Sequence, residues 1–141
     1  MNSFPGRKRA YLDACILIAA FRGTSEISAR AMEILDDPDL DIIVSDYVKL
    51  EVLPKPTFQK RSNEVEFMKT VFDAAASNVP SNSDVTRGAV DLAGRYDLTP
   101  IDALHVSCAI HSGVDELITG EKSSRPMCKV QEVSVRSLFA D

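Results

Sequence analysis

The chain has 141 residues, which is enough for one domain but too few for two sizeable cores. Its 45% hydrophobic and 26% charged residues are ordinary for a globular protein, and this composition excludes disorder and fibrous repeats. No apolar run approaches the ~20 residues of a membrane span. The apolar stretch that follows the basic start contains Asp13, so we expect no export signal, no membrane partner and a cytoplasmic location.

The first half of the chain predicts alternating strands and helices: a strand over 9–13, a helix over 14–21, a helix that ends near 35, a strand over 41–44 and a helix after 45. Thr24 or Ser25 can cap the second helix, and Ser45 the third. Pro54 and Pro56 are expected to end that third helix.

The second half continues the alternation: a helix over 61–76, a minimal strand over 78–80, a helix from 83 or 84 to 96, a helix over 101–111, a strand over 116–119 and a fifth short strand around 133–135. Thr99 and Pro100 predict the start of the last helix and Gly113 its end. This order predicts an α/β fold, a three-layer α/β/α sandwich with a short parallel sheet of four to five strands in a single domain over 1–141. In such sheets ligands bind beyond the carboxyl ends of the strands, where the strand order reverses.

Four acids are predicted to reach that crevice: Asp13 at the end of the first strand, Glu51 after the second, Asp102 in the first turn of the helix that precedes the fourth strand, and Glu121 just after that strand. Clustered carboxylates repel one another unless a cation neutralises them. Mg²⁺ or Mn²⁺ suits such a set of oxygen ligands and could activate a water for attack on a phosphodiester.

Each acid also has a purely structural interpretation. Asp13 could cap the following helix, and Asp102 forms a capping arrangement with Thr99. Glu51 and Glu121 could be solvated surface residues. The ordered set, rather than any single acid, favours a functional site.

Other polar residues are weaker candidates. Ser45 and Thr119 could orient carboxylates or water, or could serve only as a helix cap and a strand-end hydroxyl. His105 lies near Asp102 on one helix face, where a packed structural role is favoured over a ligand or a general base.

The charge pattern decides little. The net charge of −5 disfavours a nucleic-acid partner, but a bound cation would cancel part of it locally. Basic residues form three clusters: Arg7, Lys8 and Arg9; Lys55, Lys60 and Arg61; Lys122, Arg125 and Lys129. Within them, Arg61, Lys122 and Arg125 are candidates for phosphate binding. For each cluster, a solvated surface role is equally expected.

The three cysteines include no CxxC pair and predict reduced thiols rather than a disulfide framework or a structural zinc site. Cys15 and Cys108 are expected to be small core residues rather than nucleophiles.

Four segments resemble, in order, the acidic motifs of PIN-domain nucleases, and the nearest likeness is to VapC-type toxins: Tyr11-Leu-Asp-Ala-Cys-Ile-Leu-Ile18, Ser45-Asp-Tyr-Val-Lys-Leu-Glu-Val52, Leu98-Thr-Pro-Ile-Asp-Ala-Leu-His-Val-Ser-Cys-Ala109 and Leu117-Ile-Thr-Gly-Glu121. The third segment is the most specific. The resemblance implies that Asp13, Glu51 and Asp102 are metal ligands or their neighbours and that Thr119 is the threonine of the last motif. Glu121 departs from the family, which more often has Asp there.

The resemblance further implies an RNA substrate, a metal-dependent endoribonuclease activity, a possible antitoxin partner and a homodimer formed through the region 26–76. The alternative is a PIN-like module that binds RNA or protein without cutting. Phosphatase-like and receiver-like folds also place an acid after the first strand. The phosphatase pattern needs a second Asp at position 15, which is Cys. The receiver pattern needs paired acids near the first strand and a phosphoacceptor Asp after a central strand, and neither is present.

Overall fold

A computed structural model of the chain describes residues 6–23 and 25–139. Within them, one sheet contains five strands: β1 (Lys8–Leu12), β2 (Leu40–Ser45), β3 (Ser77–Val79), β4 (Glu116–Thr119) and β5 (Val135–Ser137). All neighbouring strands are parallel, and their spatial order is β3-β2-β1-β4-β5. The predicted α/β class and the parallel sheet are therefore confirmed.

Seven α-helices and a 3-10 helix (Pro126–Lys129) connect these strands: α1 (Ala14–Arg22), α2 (Glu26–Leu35), α3 (Asp46–Val52), α4 (Pro54–Phe58), α5 (Ser62–Ala74), α6 (Ser83–Tyr96) and α7 (Pro100–Ser112). α1 packs against α2, α3 and α5, whereas α6 packs against α7 and the 3-10 helix. Right-handed crossovers place these two groups on opposite faces, because their connections run in opposite directions across the sheet. None of the helices in this part of the chain combines the length and the apolar character needed to cross a membrane.

The core lies on both faces of the central strands. Tyr11 and Leu12 in β1, and Ile43 and Val44 in β2, are all completely buried. Consecutive strand residues point to opposite faces, so both faces of β1 and β2 are covered.

The strand order reverses between β1 and β4. From β1 the chain proceeds to β2 and β3 on one side, then returns to β4 on the other side of β1 and continues to β5. Asp13 directly follows β1 and Thr119 ends β4, so the two residues flank the crevice that this reversal creates.

Local signals in the sequence account for most helix ends. The hydroxyls of Ser25, Ser45 and Thr99 accept hydrogen bonds from the first turns of α2, α3 and α7. Thr24, the alternative cap, lies outside the described residues. Gly113 ends α7 at a φ of 65°, the left-handed conformation that glycine adopts without strain.

Two local predictions need correction. α3 does end at Val52, but Pro54 opens α4 instead of only ending a helix. A proline at a first helical position removes an N–H that would have no partner there, which explains why the chain turns helical again. The fifth strand begins at Val135 and ends at Ser137, later than expected.

Candidate active site

The four predicted acids line one pocket at the carboxyl end of the sheet. The pocket has a volume of about 200 Å³ and is lined by Asp13, Ala14, Cys15, Glu51, Thr99, Ile101, Asp102, His105, Glu121 and Arg125. The acids come from the end of β1, from α3, from the first turn of α7 and from the segment after β4. The topology thus joins residues that are far apart in the sequence.

Asp13 is the most deeply buried acid of the pocket, with 3% of its surface exposed. Its Oδ2 accepts a 2.5 Å hydrogen bond from Thr119 Oγ1, while its Oδ1 is buried and has no hydrogen-bond partner within the described residues. The residue stands at the N-cap position of α1 but makes no capping bond, so the alternative role as a helix cap is not observed. Burial raises the pKa of Asp13 to about 6, although the Thr119 hydroxyl, His105 and the nearby backbone N–H groups of Ile16 and Gly120 act to lower it.

Thr119 ties the end of β4 to both neighbouring acids. Besides donating to Asp13, its hydroxyl accepts a 3.0 Å hydrogen bond from the backbone N–H of Glu121. Gly120 makes this approach possible, because a Cβ at that position would lie 2.8 Å from the Cβ of Cys15. The glycine lets the segment after β4 lie directly against the start of α1.

Glu51 is held from the other wall by His105. The Nε2 atom of His105 lies 2.5 Å from Glu51 Oε1, and its Nδ1 lies 2.7 Å from the hydroxyl of Tyr11. His105 is 2% exposed, so it is a packed core residue as well as a direct contact of an acid. Ser45 lies behind it, where its hydroxyl caps α3 and bonds to Tyr11.

Asp102 and Glu121 are less buried than Asp13. The Asp102 amide donates to Thr99 Oγ1 over 3.3 Å, so the predicted capping arrangement is present and the Asp102 side chain lines the pocket. Glu121 Oε2 lies 3.4 Å from Arg125 Nε. Among the lining residues Arg125 alone carries a fixed positive charge, against four carboxylates.

Only one of the three residues predicted to contact phosphate lies in the pocket. Arg125 lines the pocket, whereas Arg61 and Lys122 do not. Arg61 pairs with Glu64 at the start of α5, with 3.6 Å between Nε and Oε1. The ammonium of Lys122 lies 6.0 Å from the centre of the Phe139 ring.

The two cysteines that were expected in the core differ in their exposure. Cys108 is completely buried, as expected, but Cys15 is exposed and lines the pocket, so the prediction of a core residue was wrong for Cys15. The residue as a whole is exposed but its thiol is partly buried among the pocket residues. This burial, followed by the charges of Asp13 and Glu121, raises the pKa of Cys15 to about 12. Such a thiol is not a nucleophile at neutral pH.

The carboxylates of the pocket are chemically suited to bind a hard divalent cation, but their side chains are not arranged around a common point in this conformation. The unpartnered Oδ1 of Asp13 is a buried carboxylate oxygen, which a cation would stabilise. In this conformation no group of three or more His, Cys, Asp or Glu side chains within the described residues is arranged to hold a metal ion. Glu51 turns one oxygen to His105 and Glu121 turns one to Arg125. To share an ion with Asp13, the acidic side chains would have to move closer together.

A larger cavity of about 680 Å³ lies at the other end of the sheet, between α2, the start of β2 and α5. Its lining is mainly apolar, and its acids have no counterpart to the unpartnered oxygen of Asp13 among the described residues. Chemistry rather than volume therefore selects the acidic pocket as the candidate active site.

An acidic pocket at the switch point of a parallel sheet lies where α/β folds of this type bind their ligands. The sequence pattern of the PIN domain matches residues 10–128. The chain therefore belongs to the PIN-domain family, which indicates a nuclease as the coarse class of activity. A comparison with curated protein sequences gives no match.

Solved structures of VapC-type toxins share the fold. A VapBC2 complex from Rickettsia felis, bound to a DNA fragment from its promoter, aligns with a TM-score of 0.70 and 15% identity over 92% of this chain and 98% of that chain. A toxin–antitoxin complex from Klebsiella pneumoniae gives 0.68 and 22% over the same shares. VapC20 from Mycobacterium tuberculosis, a sarcin-ricin loop cleaving toxin, gives 0.66 and 12% over 89% and 98%. At these identities the likeness establishes the fold.

Sequence reasoning did not assign a role to Gly120 or Tyr11. Gly120 stood inside the last acidic motif, and its place between a hydroxyl and an acid was a usable signal of close backbone approach. Tyr11 gave no signal, because a tyrosine within an apolar strand is indistinguishable from any other core residue.

Proposed function

We propose that the chain is a divalent-metal-dependent endoribonuclease that hydrolyses phosphodiester bonds of RNA at the acidic pocket. The observation that carries the proposal is the buried, unpartnered oxygen of Asp13 in a pocket with three further carboxylates. A carboxylate in this setting lowers the stability of the fold unless a cation or a proton joins it. A pocket with only a structural role would not require such a destabilising carboxylate.

Asp13 and Asp102, joined by Glu51 and Glu121, would hold Mg²⁺ or Mn²⁺. The cation, when bound, supplies an activated water and offsets the charge that develops on the phosphate. Thr119 occupies one oxygen of Asp13, and His105 occupies one oxygen of Glu51. The second oxygen of each carboxylate is left for the cation.

Arg125 supplies positive charge beside Glu121 for the phosphate that is cut. Lys122 and Arg61 lie outside the pocket and would contact phosphates further along the RNA. We include a cytoplasmic location in the proposal, because the RNA substrate is found there.

The likeness to toxin–antitoxin complexes supports a role as the toxin of such a pair, with a cognate antitoxin protein that covers the acidic pocket. A homodimer belongs to the same proposal. Leu50 on α3 and Phe58 on α4 are 66% and 87% exposed, and both lie in the region from which the sequence predicted pairing.

The test is an RNA cleavage assay on the purified chain, free of any partner. A pool of structured and single-stranded RNAs is incubated with Mg²⁺, with Mn²⁺ and with EDTA. Asp102→Asn is compared with Asp91→Asn, the same change on the exposed surface of α6, and the fold of each variant is checked by circular dichroism. We expect cleavage that needs metal, persists in Asp91→Asn and disappears in Asp102→Asn.

Cleavage that survives EDTA or the loss of Asp102 would contradict the proposed site. No cleavage and no metal binding by any preparation would leave the alternative, a module of the same fold that binds RNA or protein without cutting.

A further inference from the structure

Four side chains form a continuous hydrogen-bond chain that begins in the core and ends at the acidic pocket. Ser45 Oγ lies 2.7 Å from the Tyr11 hydroxyl, which lies 2.7 Å from His105 Nδ1, and His105 Nε2 lies 2.5 Å from Glu51 Oε1. The first three residues are at most 2% exposed, whereas the side chain of Glu51 is 34% exposed. The chain thus links β2, β1, α7 and α3 and opens only at Glu51.

The Glu51 carboxylate at the outer end determines the direction of every bond, and the inner end is compatible with that direction. At the inner end the Val48 N–H, which can only donate, reaches Ser45 Oγ over 3.2 Å, and the proton of that hydroxyl is left for the Tyr11 oxygen. At the outer end the Glu51 carboxylate can only accept, so His105 Nε2 must carry a proton. In a neutral ring Nδ1 then accepts, and the Tyr11 hydroxyl donates to it.

Burial supports this assignment for the phenol. It raises the pKa of Tyr11 well above its ordinary value, so the hydroxyl keeps the proton that it donates.

We propose that Tyr11 and His105 are positioning residues for Glu51: the Tyr11 hydroxyl holds the His105 ring in its Nε2–H tautomer, and that N–H orients the Glu51 carboxylate in the pocket wall. Neither Tyr11 nor Ser45 lines the pocket, so their effect on it passes through His105. The consequence for metal binding rests on the proposed function, whereas the tautomer and the orientation of Glu51 do not. Partners that orient a metal-binding carboxylate commonly change metal affinity by 10- to 100-fold.

The second histidine is an internal reference for this prediction. His111 Nδ1 lies 2.9 Å from the carbonyl oxygen of Ser107. A carbonyl can only accept, so His111 must carry its proton on Nδ1, opposite to His105. The chain contains two histidines in all, which makes the two ring patterns easy to separate.

The experiment uses the full chain, labelled with ¹⁵N in the histidine rings and with ¹³C in the glutamate carboxylates, at neutral pH without metal. Long-range ¹H–¹⁵N correlation spectra report the tautomer of each ring, and a His111→Gln variant assigns the signals. Tyr11→Phe is compared with Tyr96→Phe, which removes a phenol hydroxyl that donates to Glu132 on the exposed surface. Mn²⁺ affinity is then measured for all three proteins by electron paramagnetic resonance.

We expect an Nε2–H pattern for His105 and an Nδ1–H pattern for His111 in the unsubstituted chain. In Tyr11→Phe the His105 ring should become a mixture of tautomers, the Glu51 carboxylate signal should shift, and Mn²⁺ affinity should fall roughly 10-fold. Tyr96→Phe should leave all three readouts unchanged.

A proton on His105 Nδ1 in the unsubstituted chain would overturn the proposal, as would a folded Tyr11→Phe protein with unchanged His105 and Glu51 signals. If Tyr11→Phe does not fold, Glu51→Ala replaces it. That change must shift the His105 signals and spare those of His111, and unchanged His105 signals refute the proposal. Absence of Mn²⁺ binding in the unsubstituted chain would overturn the proposed nuclease function, while the expected tautomer and Glu51 shifts would still establish the positioning.

Discussion

The two ends of the sheet treat buried carboxylates in opposite ways. At the amino end, Asp41 in β2 is 3% exposed and lies 3.3 Å from the guanidinium of Arg7. Glu116 in β4 is 6% exposed and lies 3.2 Å from Lys8 and 2.8 Å from Arg136. Each of these two buried acids pairs with a lysine or arginine side chain. That side chain comes from a neighbouring strand or from the segment just before the neighbouring strand.

At the carboxyl end Asp13 is as deeply buried as Asp41, but its partner is the neutral hydroxyl of Thr119. Its second oxygen has no partner within the described residues. A buried acid that the protein neutralises with its own cation contributes to structure, whereas one left without a cation marks a place where a cation from outside can bind.

Asp13→Asn should cause the largest change of all and should separate activity from stability. Its effect on cleavage should be a loss of at least about 100-fold, comparable with removal of one charge-stabilising group from an active site. The pKa of Asp13 is raised from 3.8 to about 6 in the fold, so the stability of the native protein falls as pH rises through this interval. Without metal above pH 6, the variant should therefore be more stable than the native chain by up to roughly 3 kcal/mol.

The measurement for that substitution is urea unfolding across the pH range, together with the RNA assay. The stability difference should vanish below pH 3.8, where the carboxyl is protonated in both states. A variant that is less stable than the native chain at pH 7 would contradict the assignment of Asp13 as an uncompensated buried acid.

Addition of Mn²⁺ should supply the positive charge that the protein itself does not place beside Asp13. At a hundredfold excess over its dissociation constant, a ligand that binds only the folded state raises the free energy of unfolding by about 2.7 kcal/mol. We expect this gain in the native chain and little or none in Asp13→Asn, measured by urea unfolding at pH 7.5. An equal gain in both proteins would place the ion elsewhere.

Glu116→Gln is the matched change at the amino end and should have the opposite pattern. It removes the partner of Lys8 and Arg136, which are about half exposed and can be solvated instead, so we expect a loss of about 1–2 kcal/mol of stability. Metal-dependent cleavage should be unchanged. Loss of cleavage in a folded Glu116→Gln protein would break the division between the two ends.

Arg125→Ala should have the smallest effect. Its side chain is 55% exposed, so the ion pair with Glu121 contributes about 1 kcal/mol or less to stability. A role in holding the RNA phosphate predicts a few-fold rise in KM with an unchanged kcat. Arg87→Ala, at an exposed position on α6, is the control, and a fall in kcat without a change in KM would contradict a binding role.

The sequence predicted the position of the acids because strand ends are local features. Asp13 directly follows one short apolar strand and Thr119 ends another, and the carboxyl ends of parallel strands meet at one edge. The alternation of strands and helices was equally visible, since it depends on periodicity and on caps such as Ser45 and Thr99.

Contacts between distant segments could not be predicted. Cys15 was expected in the core, yet it faces the pocket, because the direction of a residue at a strand-to-helix junction depends on the packing of both elements. Pro54 opens a helix rather than only ending one, a choice that depends on the chain that follows it. Arg61 and Arg125 belong to similar basic clusters, but only the segment after β4 lies beside the acids.

The sequence by itself determined the α/β class, the caps and the set of acids that topology would bring to one edge, because these depend on local periodicity and on the order of the strands. The tertiary structure alone decided which carboxylates have partners. It gave Asp41 and Glu116 their cations, left Asp13 with a hydroxyl, and joined Tyr11 and His105 behind Glu51. The physical reason is that neutralisation and hydrogen bonding act over a few ångströms between residues that lie far apart in the sequence, such as Asp13 and Thr119, which are 106 positions apart. No local pattern encodes that proximity.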